Sequence, residues 1–156
     1  MAKITKWLLI WFGAFLLGIA TKRLVVNKIP DYLLQHFDNN DWYINETTEE
    51  IIDDKGNKYS GVINFKTKTI TVNNKKSIYH EFGHYLDYVC KISDTDEFIK
   101  VYEKERNKTD FSDYHKSTPS EYFAESFSQY ILKGDLNLET YKYIKDCLKE
   151  VKNENN

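Results

Sequence analysis

The sequence predicts an α+β domain on three observations. Strand-type alternation is confined to residues 42–74, and helical periodicity runs through residues 75–152. The two do not interleave as strand–helix–strand units. A chain of 156 residues supplies one hydrophobic core of ordinary size rather than two. The folded body is expected over residues 27–156.

Residues 1–26 stand outside that body. Trp7 to Ala20 is an unbroken apolar run behind Lys3 and Lys6. It is short for a spanning helix, which takes about 20 residues, and well sized for a signal-peptide core. Gly18 and Ala20 place small residues at the spacing that a signal peptidase reads. The other reading is an uncleaved membrane anchor over residues 4–21. Lys22, Arg23 and Lys28 nearly balance the bases ahead of the run, so charge sets no orientation. The expected location of the domain is outside the cytoplasm, secreted or membrane-anchored.

Within the body, "DYLLQHF" at 31–37 reads as a short helix or turn. "DWYINETTEEII" and "KYSGVINFKTKTITVNN" carry strand alternation. "DDKGN" and Asn73-Asn74 supply the turns, which predicts a small antiparallel sheet of three strands. "KTITV" is a candidate edge strand that could pair with an extended peptide, although an ordinary buried strand fits it as well. From Lys75 the period becomes helical: Ile78, Phe82, Tyr85, Leu86 and Val89 share one face of a helix over 75–91. "DTDEFIKVYEKER" makes a second helix. A third has Thr118 as N-cap, Pro119 at the first helical position and Gly134 as the stop. "NLETYKYIKDCLKEVK" makes a fourth. The charged segment 92–117 reads in part as a rim over a cleft.

Charge and cysteines exclude some classes. Without Lys3, Lys6, Lys22 and Arg23, 18 basic residues face 24 acidic ones, and the lysines are interspersed with carboxylates. No clustered basic face suits a phosphate backbone, so no nucleic-acid partner is expected. Cys90 and Cys147 form no C-x-x-C pair, which removes thiolate zinc sites and thioredoxin-like motifs. They read as buried small side chains or, in an exported protein, as a disulfide between two helices.

The chemistry sits in "IYHEFGHYLDYV", residues 78–89. Helical positions four apart share a face, so His80 and His84 project together, opposite the apolar stripe. This is the arrangement that two ligands of one tetrahedral Zn2+ require, and Glu81 beside them is placed to act as general base on a water. Asp87 lies about 10 Å along the axis from His80, too far for a third ligand, and reads as a partner that orients a histidine. His36 and His115 are the remaining histidines, so a carboxylate is the better third ligand. Glu121 and Glu125 share a face of the third helix. On spacing alone Glu121 is equally a capping-box residue reaching back to Thr118. A ligand carboxylate near a helix N-terminus is favoured by the dipole.

"HEFGH", followed 37 residues after its last histidine by "EYFAESF", resembles the catalytic domain of anthrax lethal factor and its smaller relatives, the secreted Pro-Pro endopeptidases. The resemblance covers about residues 60–150. It implies a zincin-like metallopeptidase domain with Glu121 as third ligand of one Zn2+, Glu125 supporting the histidines, and Tyr114 facing the metal. Tyr114 would donate a hydrogen bond to the oxyanion or leaving group; His115 is the alternative donor. The expected function is a zinc-dependent, monomeric endopeptidase acting on protein or peptide substrates. The competing reading is a catalytically silent, metal-stabilised interaction module, for which Glu81 would have no use.

Overall fold

The computed structural model describes residues 26–134 and 138–154. The expected signal peptide or anchor therefore lies outside the described residues, except that Val26 is already buried in the core. No helix among the described residues is long and apolar enough to cross a membrane. The elements run α1 (Asp31–Asn39), β1 (Tyr43–Glu46), β2 (Ile51–Ile52), β3 (Lys58–Tyr59), β4 (Gly61–Asn64), β5 (Thr69–Val72), α2 (Ser77–Cys90), α3 (Asp96–Glu105), α4 (Pro119–Lys133) and α5 (Thr140–Glu154). Strands precede helices after α1, and the molecule is α+β.

The sheet differs from the expectation in two ways. Its order is β1-β5-β4, with β1 parallel to β5 and β4 antiparallel to it, so the sheet is mixed rather than antiparallel. β2 and β3 form a separate two-stranded hairpin. Its turn is held by Asp53, whose carboxylate accepts from the amides of Lys55 and Asn57, with Gly56 at φ 85°. Pleat alternation reports which face a residue occupies and says nothing about the direction of its neighbour. Of the two readings of "KTITV", the structure takes the buried one: β5 is the central strand, with Ile70 and Val72 buried, and β1 and β4 are the edges.

α2 buries Ile78, Phe82, Tyr85 and Leu86 in the core, where the Phe82 and Tyr85 rings pack against Phe37 and Trp42. Its other neighbour is α4, and the two cross at van der Waals limit. A Cβ on Gly83 would lie 2.5 Å from the Cα of Ala124. Glycine is therefore required inside this helix despite its helical cost of about 1 kcal/mol. α4 is capped as expected: Thr118 accepts from the amide of Glu121, Pro119 opens the helix and Gly134 ends it at φ 85°. α3 is a packed helix rather than rim, with Phe98, Val101 and Tyr102 buried. Its Glu105 carboxylate accepts from the amides of Glu139 and Thr140, which anchors the start of α5. The later part of the 92–117 segment does border the cleft, through a short 3-10 turn at Tyr114–Lys116.

Candidate metal centre

The tight α2–α4 crossing brings three donor groups together. Nε2 of His80 is 3.1 Å and Nε2 of His84 is 3.5 Å from the same Glu121 oxygen, Oε2. A tetrahedral zinc with bonds of about 2.0–2.1 Å holds its donors about 3.3 Å apart. The spacing thus fits one small divalent ion, and the donor set of two imidazoles and a carboxylate suits zinc chemistry. All three side chains are largely buried. The capping-box alternative for Glu121 is not what its side chain does. Thr118 caps the helix alone, while the Glu121 carboxylate turns to the histidines and accepts from the Tyr114 hydroxyl at 2.9 Å.

Electrostatics follow from these contacts. Burial is the largest influence on Glu121 and favours its neutral form, but hydrogen bonds from His80, His84 and Tyr114 overcome it. The carboxyl is held well below the usual range. Burial likewise opposes the charged form of His80, yet the Glu121 and Glu125 carboxylates raise it from 6.5 to about 9. Glu81 moves the other way. Only 6% exposed, it is raised chiefly by desolvation, with the two histidines partly offsetting that shift. Burial, then the bond to Glu121, raises Tyr114.

Around the donors lies a set of supporting contacts. Glu125 Oε2 is 3.3 Å from Nδ1 of His80, and its other oxygen accepts from Gln129. His115 reaches Glu125 rather than Glu121, at 3.7 Å, with burial lowering its pKa. His80, His115 and Glu125 form a second group of metal-capable donors that shares His80 with the first. Asp87 is buried and meets no histidine directly. Its Oδ1 accepts from the amide of Ser93, and its Oδ2 accepts from the Ser120 hydroxyl at 3.0 Å. Ser120 in turn lies 3.3 Å from Nδ1 of His84. His36 is remote, bonded to Tyr85 and paired with Glu154.

Two contributors escaped the sequence reading. Ser120 was hidden in a helix-start pattern that Thr118 and Pro119 already explained. Gly61 had a signal, an isolated glycine in a strand, which marks close backbone approach. A Cβ there would stand 2.7 Å from Oε1 of Glu81. β4 therefore runs directly against the Glu81 carboxylate. Beside it opens a cavity of about 490 Å³ lined by Tyr59, Gly61, His80, Glu81, Tyr114 and Leu132, among others.

Fold and site together define an α+β protein with a histidine–histidine–glutamate group fit for a metal ion. The family profile described as "Anthrax toxin lethal factor, N- and C-terminal domain" matches residues 23–147. The chain belongs to the anthrax toxin lethal factor family. No curated protein matches it.

Proposed function

We propose that this protein is a zinc-dependent endopeptidase of zincin-like fold, with His80, His84 and Glu121 holding one Zn2+. The observation that carries the reading is the convergence of those three donors beside a buried glutamate, Glu81, whose pKa is raised. A purely structural metal site gains nothing from such a base. Bound zinc would supply Lewis acidity and acidify the attacking water toward neutrality. Glu81 takes the proton of that water and delivers it to the leaving amine. Desolvation makes it a stronger base than an exposed carboxylate. Tyr114, whose one hydroxyl proton is donated to Glu121 in this structure, would redirect it to the developing oxyanion or the departing nitrogen. Glu125 and Asp87 hold the histidine rings, the first directly and the second through Ser120.

The substrate is a protein or peptide. β4 is a sheet edge lying against Glu81, and an extended chain pairing with it would pass over the metal group. The enzyme acts as a monomer outside the cytoplasm. It is secreted or, if the N-terminal segment is retained, anchored through residues 4–21.

The test combines metal analysis with digestion of a peptide library. The parent binds one zinc and cuts. Glu81→Gln keeps the zinc and loses about 10²–10⁴-fold in kcat/KM. Equal cutting by both proteins would sink the peptidase assignment. One zinc with no cutting by the parent would favour the interaction module.

A further inference from the structure

We infer that Ser120 is a positioning residue that fixes the His84 ring for metal binding, a role that rests on the proposed His80–His84–Glu121 site. The argument is one of proton inventory. A serine hydroxyl has one proton to donate, and an ionised carboxylate can only accept. The Ser120 hydroxyl donates to Asp87 Oδ2 at 3.0 Å. Its contact with Nδ1 of His84 at 3.3 Å must then run the other way, with the ring nitrogen donating. His84 therefore carries a proton on Nδ1, and Nε2, the atom that faces Glu121 Oε2, is the nitrogen left to exchange its own proton for a metal ion.

His80 is held by a shorter route, because its Nδ1 lies directly against Glu125 at 3.3 Å. Each histidine thus has a carboxylate behind it, one in contact and one relayed through a hydroxyl. The relay is needed because Asp87 lies on the same helix as His84 and is turned toward Ser93, whose amide occupies its other oxygen. Ser120, arriving from α4, spans what Asp87 cannot reach. It stands immediately before Glu121, so the residue that orients one ligand is covalently joined to another. Any change in α4 position moves both.

The test uses the full chain with Ser120→Ala and Ser120→Thr. Zinc affinity is read by competition with a chromophoric chelator. The ring N–H signals of the zinc-loaded proteins are read by NMR. The alanine variant should bind zinc about 10–100-fold more weakly. It should lose the protected Nδ1–H signal of His84 while that of His80 stays, and threonine should restore both readouts. Affinity within twofold of the parent, an unchanged His84 signal, or a loss that threonine does not restore would each overturn the inference. Absence of zinc from the parent would overturn the metal site itself, an outcome distinct from equal affinities with zinc bound.

Discussion

Glu121 and His80 set the pH behaviour of the site. In the metal-free protein the folded-state pKa of His80 is raised from 6.5 to about 9. Stability from its pairing is fully present below pH 6.5 and is lost as pH rises through about 9. The depressed Glu121 acts with the opposite sign. Its contribution is present above the ordinary carboxylate range and is lost as pH falls toward its folded value. Zinc replaces the proton on Nε2, so zinc affinity rises over the range where the metal-free protein weakens. Melting curves at pH 6, 7.5 and 9, with chelator and with zinc, check this. A metal-free Tm that holds level to pH 9 would contradict it. Tyr114→Phe removes only the hydroxyl that donates to Glu121. It should keep zinc and lose about 10²-fold in kcat. Unchanged turnover would take the tyrosine out of the chemistry. Placement was legible where spacing forces it, as for His80 and His84 on one helical face with Glu81 beside them. Ser120 was not, because its partners lie on another helix.

The α2–α4 crossing is the element on which the site depends. Gly83 lies in "HEFGH" and Ala124 in "EYFAESF", so the two motifs that carry the three donor groups also carry their own contact point. Gly83→Ala would place a methyl 2.5 Å from backbone, which cannot rotate aside. The helices must separate, at a cost of about 1–3 kcal/mol. His80 and His84 would then move away from Glu121. The expected result is a lower Tm with chelator present and a larger fall with zinc present, since metal binding weakens as well. An equal fall in both conditions would mean that the crossing supports the fold without setting the metal geometry. The sheet shows the opposite degree of legibility. Alternation found the strands, but neither the parallel pairing of β1 with β5 nor the edge position of β4 has a local sequence signature.

For the molecule as a whole, one ion would join segments far apart in the chain: α2 and the start of α4, with Tyr114 on the turn between them. Binding to the folded state alone stabilises it by about 4 kcal/mol at a thousandfold excess over Kd. Chelation should therefore lower Tm by about 10 °C or more. A shift under about 2 °C, with zinc shown to have left, would mean that the donors are held in place by packing alone. Packing does hold much of the arrangement, since α2 is locked between the aromatic core of Phe37 and Trp42 and the face of α4.

The sequence by itself determined the α+β class, the helices that carry the motifs, the Thr118 cap, and the pairing of His80 with His84 on one face. All of these follow from local geometry, where a helical turn or a strand pleat fixes what lies beside what. Only the tertiary structure decided that Glu121 turns to the histidines instead of capping its helix, that β4 and not β5 forms the edge along Glu81, and that Asp87 meets Ser120 rather than a histidine. Each of those outcomes depends on the distance between elements remote in sequence. That distance is set by side-chain volume at a few contacts such as Gly83 against Ala124, and no periodicity along one segment encodes it.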